Sequence, residues 1–501
     1  MKSLESLPAA NPDPTAFSET VSPIASVPTD NLGWSVFKNS VVQIAGRLFI
    51  SLSRLIVTGL IIRGYGKDVF GRYSLVFGFL AIADWLVDFG TTDVFVRDIS
   101  SKPDRGTRLM RVLTAAKLVQ VPASFAALAA ILLILKYPHD VLEAGLVGGA
   151  GLIFFGGVIA YKVVFRVALT MERDVAAELL SIVAVIPLIA LICRYGGGLI
   201  ALAACQVISR GVYLGVCYRF GRKMYRPSIQ GVAWRDIGST IQSCAAIGVI
   251  GFLVGGYETL DILLLSKFGD FSQLAYYSGA QRLVWPVLMA LSAVAATFFP
   301  VIASYWPDSR QQFERACQRS LDIVVTLAGF VLCSAFAGAE FFMGLLGPDL
   351  KIGAPALRVL ALLCFVKAIS SSVGPVFYVV KAQRMALQFI AFAVVLKVAV
   401  IAVLAPRYGY MGVAYSALVV EACVAAAAVI LIRRAVGYRV RWNIILKVAS
   451  IAAASAVVPW FVFSRSGFPA AVTAPLMYVP LVFVSGAVNW SEMRSVVRWN
   501  R

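Results

Sequence analysis

The sequence predicts an all-α polytopic membrane protein of about 14 transmembrane helices, arranged as two six-helix lobes followed by two C-terminal helices. Three observations predict it. Of the 501 residues, 60% are hydrophobic and only 14% charged, a bilayer composition rather than that of a soluble domain. The apolar residues fall into runs of about 20, the length that crosses the hydrocarbon core. The basic residues gather in alternate connections between those runs, which is an orientation signal. The net charge of +19 forms no basic patch, so no nucleic-acid partner is expected.

Residues 1–33 carry Pro8, Pro12, Pro14, Pro23 and Pro28 among Ser, Thr, Ala and Asp. They read as a disordered cytoplasmic tail without the apolar segment of a cleavable signal. The first lobe is expected over 34–225, with spans at 40–62, 73–96, 112–135, 142–161, 175–193 and 198–218. The second is expected over 226–440, with spans at 240–266, 277–303, 321–346, 356–380, 387–405 and 411–432. Runs at 446–463 and 470–488 occupy 441–490, before a cytoplasmic tail at 491–501.

Loop charge supports this count. With the N-terminus in the cytoplasm, the even-numbered connections hold, among others, Arg97 to Arg111, Lys162 to Arg173, and Arg219 to Arg235. Roughly 28 basic residues then lie inside and roughly 10 outside. Both termini are therefore expected in the cytoplasm. A weak repeat at an offset near 200 residues relates Tyr65-Gly66 to Phe268-Gly269, and Tyr195-Gly196 to Tyr408-Gly409. Duplicated halves place a substrate site between them, near the midplane.

Polar residues inside the spans mark that site. Gln43, Arg47, Ser51, Arg54 and Thr58 recur every three or four residues and share one helix face. Two arginines on that stripe need a wet or anionic cavity, because charge in hydrocarbon is costly. Asp84 and Asp88, one turn apart, share a face of the second span, and Glu258 precedes Asp261 in the seventh. They read as ion-coupling or gating groups, or as static counter-ions such as partners of Arg47. Gln206, Arg210 and Tyr213 form another stripe, and Lys367, Ser371, Pro375 and Tyr378 a third; Lys397 and Glu421 lie mid-span. Lys117, Glu178, Asp93 and Glu340 lie nearer span ends, where snorkelling or interfacial pairing is expected. The eight cysteines form no CxxC and lie almost all in apolar runs, so they read as small reduced hydrophobes. A single histidine, His139, leaves no histidine metal site, and no GxxxxGK[ST] loop is present, so no cofactor is expected.

At these residues the chain resembles the bacterial polysaccharide (O-antigen type) flippases. Their superfamily also holds the multidrug and toxin extrusion (MATE) transporters and the peptidoglycan-precursor flippases. The resemblance rests on Gly66 to Ser74 (G-x-x-x-F-G-x-Y-S), Asp88-Phe89-Gly90 and Arg97-Asp98. It continues in Leu260 to Leu265, Tyr277 to Leu283 and Tyr408 to Ala414. It covers about 40–440; the extra C-terminal pair is similar to the longer peptidoglycan-precursor flippases.

The resemblance implies a MATE-like two-lobed bundle in the bacterial inner membrane. Its implied activity moves a polyprenyl-diphosphate-linked sugar from the cytoplasmic to the periplasmic leaflet by alternating access. The implied partners are that lipid-linked sugar, the bilayer and polysaccharide polymerase or export machinery. The expected cavity residues are Arg47, Arg54, Arg282, Gln43, Ser51, Arg210 and Lys367, because guanidinium forks suit a diphosphate. The expected coupling or gating residues are Asp84, Asp88, Asp261, Glu258 and Glu421. A cation-coupled drug exporter and a peptidoglycan lipid-precursor flippase are the alternatives within the superfamily. A glycosyltransferase or polymerase would need a catalytic extramembrane loop, and the longest connection is roughly twenty residues. The chain is thus not expected to be an enzyme.

Overall fold

A computed structural model describes residues 32–379, 383–463 and 467–486. The expected tails fall outside the described residues, apart from residues 32 and 33. Every regular element among the described residues is helical. In chain order these are α1 (Leu32–Asp88), α2 (Thr91–Ser101), α3 (Gly106–Ile134), α4 (His139–Ala150), α5 (Leu152–Val167), α6 (Met171–Tyr195), α7 (Gly198–Gly221) and α8 (Trp234–Phe268). They continue as α9 (Phe271–Thr297), α10 (Phe299–Tyr305), α11 (Arg310–Ala337), α12 (Ala339–Leu346), α13 (Ala354–Val379), α14 (Gln383–Val436), α15 (Trp442–Val462) and α16 (Phe468–Val484).

Among the described residues, eleven helical stretches are long and apolar enough to cross a membrane. Straight, the 57 residues of α1 would reach about 86 Å, twice the thickness of a bilayer. Instead α1 breaks at Gly66 (φ 79°, ψ 180°), and Ser51 to Val57 and Tyr73 to Trp85 line one cavity from its two arms. The 54-residue α14 breaks likewise at Gly409 (φ 56°, ψ −133°), and Lys397 and Glu421 from its two arms both reach Tyr257. Only glycine adopts such backbone angles readily. Counting two crossings each for α1 and α14, and one for the 17-residue α16, brings the total to about fourteen.

Several boundaries differ from the sequence expectation. The fourth crossing divides into α4 and α5 at the Gly148-Gly149-Ala150-Gly151 run, where weak helix formers let the axis break. The eighth divides at Phe298, just before Pro300, whose ring removes a helical donor. The ninth ends at Ala337, and Ala339–Leu346 forms a separate short helix.

The odd-numbered connections meet at the end of the bundle that holds Gly66. There Tyr65 Oη accepts from Gly197 N at 2.6 Å, Tyr137 and Ser266 hydroxyls lie 2.7 Å apart, and Tyr410 donates to Ile352 O at 3.0 Å. The even-numbered connections meet at the other end, where Arg166 pairs with Asp93 at 2.9 Å and Tyr438 donates to Gln318 at 2.9 Å.

Close crossings are built on small residues, as packing between helices in lipid requires. A Cβ on Gly71 would meet the Phe271 carbonyl, so α1 and α9 touch backbone to backbone there. The largest buried cluster draws residues from both halves, including Phe70, Leu80 and Leu132 with Tyr277, Leu350 and Ile401. The last two helices pack on α11: Tyr478 donates to Thr326 O at 2.8 Å, and Ala471 lies against Gly338.

Candidate functional site

A cavity of about 590 Å³ lies between the two halves, walled by both arms of α1 and by α5, α6, α7, α8 and α9. The Gly66 end of this interface is closed. Lys67 Nζ donates to Tyr276 Oη at 2.9 Å, Asp68 accepts from Ser272, and Arg63 donates to Leu345 O at 3.0 Å. Lys267 donates to Leu135 O at 2.7 Å. Each contact joins an N-terminal-half element to a C-terminal-half one.

The α1 stripe enters the cavity at Ser51 and Arg54. Arg54 pairs with Glu178 of α6 at 2.9 Å, and the Arg54 side chain stays 61% exposed. Thr58 is fully buried and accepts from Arg282 Nη1 at 2.6 Å. Arg282 therefore reaches out of α9 across the interface, and its guanidinium lies over the rings of Phe70 and Tyr73 at 5.0 and 5.4 Å. The lower stripe lies outside the cavity lining: Arg47 is exposed, and Gln43 donates to Met171 Sδ.

A second group projects from the N-terminal half. Arg210 of α7 pairs with Asp84 of α1 at 2.7 Å. The partner of Asp84 is thus Arg210, not Arg47. Lys162 of α5 stands over Phe155 and Tyr213 at 5.7 and 5.5 Å, and Arg210 shares the Phe155 ring at 5.3 Å. Gln206 and Tyr213 complete the α7 stripe in the wall. Among the described residues neither Lys162 nor Arg282 has a carboxylate within salt-bridge distance. From the C-terminal half come Glu258, Gln281 and Trp285.

The remaining expected site residues lie elsewhere. Asp88 accepts from the Thr92 hydroxyl at 2.5 Å and the Thr92 amide at 3.2 Å, so it organises the Asp-Phe-Gly turn into α2. Asp261 and Lys397 form a buried pair at 2.9 Å, with Tyr277 donating to Asp261 at 2.7 Å. Lys397 Nζ also sits 4.2 Å from the Tyr257 ring centroid. Glu421 accepts from Ser370 at 2.6 Å and Tyr257 at 3.2 Å, and Lys367 lies over the same Tyr257 ring at 5.9 Å. This cluster is internal to the C-terminal half. The side chains of Pro375 and Tyr378 lie outside the described residues.

Two groups assigned to span ends behave otherwise. Lys117 is 4% exposed and donates to Val87 O, Thr91 Oγ1 and Gln120 Oε1 at 2.6, 2.6 and 2.9 Å. There it ties the C-terminal carbonyls of α1. Glu178 lines the cavity, where Arg54 supplies its counter-charge. Lys162, counted from sequence as a loop residue, also lines it because α5 runs on to Val167. Its four-residue spacing from Arg166 was the available signal.

A family model described as "Polysaccharide biosynthesis protein" matches residues 36–306. No curated protein sequence matches the chain significantly. The fold is similar to the solved structure of the lipid II flippase MurJ in an inward closed conformation, at TM-score 0.72 and 12% identity. That match covers 88% of this chain and 98% of the MurJ chain. An inward-facing multidrug-resistance MATE transporter of the MOP superfamily matches at TM-score 0.63 and 17% identity, over 79% of this chain and 98% of that one. A MOP superfamily transporter from Pyrococcus furiosus matches at TM-score 0.57 and 16% identity, over 84% and 99%. At such identities these likenesses establish the fold, two packed halves enclosing a central cavity. Since the family match spans more than half of the sequence, the chain belongs to the polysaccharide biosynthesis protein family and is a multi-pass membrane protein with the MurJ/MATE fold.

Proposed function

We propose that the protein is an inner-membrane flippase. It moves a polyprenyl-diphosphate-linked oligosaccharide from the cytoplasmic to the periplasmic leaflet, for O-antigen-type polysaccharide or exopolysaccharide synthesis. The observation that carries this reading is the convergence of Arg54 on α1 and Arg282 on α9, one from each half, on one cavity. A diphosphate bridging them would draw the halves together, and two guanidinium forks match its oxygens. Lobes at 34–225 and 226–440, with 441–490 appended, would then rock between this state, closed at the Gly66 end, and one in which that end opens. The basic connections orient that end toward the periplasm and both termini toward the cytoplasm.

One observation favours the drug-exporter alternative. Glu258 lines the cavity beside Trp85 and Trp285, and among the described residues no cation lies within salt-bridge distance of it. A carboxylate among aromatic walls suits an organic cation.

Flipping of a labelled polyprenyl-diphosphate sugar in proteoliposomes separates the readings. The wild type should flip it, Arg54→Ala and Arg282→Ala should lose about tenfold or more, and Arg54→Lys should retain part of the rate. A wild type that flips no lipid-linked sugar yet exports a cationic dye under a proton gradient would establish the exporter instead.

A further inference from the structure

Asp84, Lys162 and Arg210 form a unit distinct from the Arg54–Arg282 pair. All three belong to the N-terminal half and all line the cavity. Arg210 is 8% exposed and reaches its place past Gly151, where a Cβ would stand 2.9 Å from Arg210 Cδ. The missing side chain of Gly151 thus makes room for it.

The Arg210–Asp84 pair is incomplete. Arg210 Nη1 and Asp84 Oδ1 are buried and have no hydrogen-bond partner among the described residues. A buried donor and acceptor left open are each costly. Lys162 stands on the same Phe155 ring as Arg210 and has no carboxylate of its own among the described residues. The unit therefore offers two cationic donors, one carboxylate acceptor and aromatic walls at Phe155, Tyr213 and Trp85.

We infer that Asp84, Lys162 and Arg210, set around Phe155, form a subsite for a sugar that carries a carboxylate. The inference rests on the flippase reading for the sugar's lipid diphosphate, which the Arg54–Arg282 pair takes. A second diphosphate fits these residues poorly, because it carries no donor for Asp84 Oδ1, which a sugar hydroxyl supplies. A neutral sugar would use Asp84 but leave Lys162 without a counter-charge. A uronic acid uses every group: its carboxylate accepts from Arg210 Nη1 and Lys162 Nζ, a hydroxyl donates to Asp84 Oδ1, and the ring face lies on an aromatic wall.

The test uses the purified full chain in detergent and two probes that differ only at C6 of the sugar. These are farnesyl-diphosphate-linked glucuronic acid and farnesyl-diphosphate-linked glucose, with affinities read by thermal-shift titration. Wild type should favour the acidic probe by about tenfold or more, the range of charge-assisted hydrogen bonds. Lys162→Gln should bring that ratio close to one, and Lys162→Arg should keep it. Arg282→Ala should weaken both probes and leave the ratio standing. Equal binding by wild type overturns the inference, as does a Lys162→Gln variant that weakens both probes in proportion. If neither farnesyl probe binds, the flippase reading fails, and methyl glucuronide decides the subsite alone. Stabilisation by methyl glucuronide that Lys162→Gln abolishes upholds it, and no stabilisation overturns it.

Discussion

Lys397 and Asp261 are 3% and 4% exposed and 2.9 Å apart. Two charges so placed have lost nearly all hydration, and each is tolerable only because the other is present. Lys397→Met should therefore destabilise the protein by about 3–5 kcal/mol, by leaving a lone buried carboxylate. The double variant Lys397→Met with Asp261→Leu should recover most of that loss, measured by thermal unfolding in one detergent. Equal losses in both would mean that the pair itself, rather than its completeness, stabilises the half. At this scale the sequence was partly legible. The α1 stripe announced Arg54 and Ser51, and the α7 stripe announced Arg210. Lys162 was hidden because a hydropathy window treats a charge as the end of a span, and Glu178, inside the span at 175–193, read as an interfacial group. A cavity that opens beside a charge within a span cannot be seen that way.

The helices of this bundle are joined by glycines under two different constraints. Gly66 has φ 79° with open space around its missing Cβ, whereas Gly71 lies in the helix with its Cα against the Phe271 carbonyl of α9. Gly66→Ala meets only backbone strain, about 1–3 kcal/mol. Gly71→Ala must push α1 and α9 apart at the interface of the halves, and it should lower thermal stability more than Gly66→Ala does. The Gly66 turn was readable from its Tyr-Gly signal and the apolar runs on either side. The Gly71 contact was not, since close approach depends on which helix comes to lie opposite. The breaks at Gly151 and Phe298 follow local chemistry, a glycine-rich run and a proline, that continuous hydropathy masks.

The whole molecule is held shut at one end by contacts between its halves. Asp68 and Ser272 side chains are hydrogen-bonded there, beside Lys67 and Tyr276. In a cysteine-free background, oxidising the pair Asp68→Cys with Ser272→Cys should block transport, and reductant should restore it. Unimpeded transport by the cross-linked form would show that this end does not open in the cycle. Orientation is testable with two exposed positions at opposite ends, Tyr195 at 76% and Trp234 at 79% exposure. A membrane-impermeant thiol reagent added to intact cells should label Tyr195→Cys and spare Trp234→Cys. The reverse pattern would invert the topology read from loop charge.

Hydropathy and charge along the chain were enough to determine that it is an all-helical membrane protein, with about fourteen crossings and loops that alternate in charge. Those properties come from each segment's own exchange between water and hydrocarbon, which depends on local composition. Only the tertiary structure decided which buried charges meet. It joined Asp84 to Arg210 and Asp261 to Lys397, brought Arg54 and Arg282 to one cavity, and set Asp88 to work in a turn. Partner choice in a low dielectric depends on distance in space between residues as far apart in sequence as 54 and 282, and no periodicity along the chain encodes that distance.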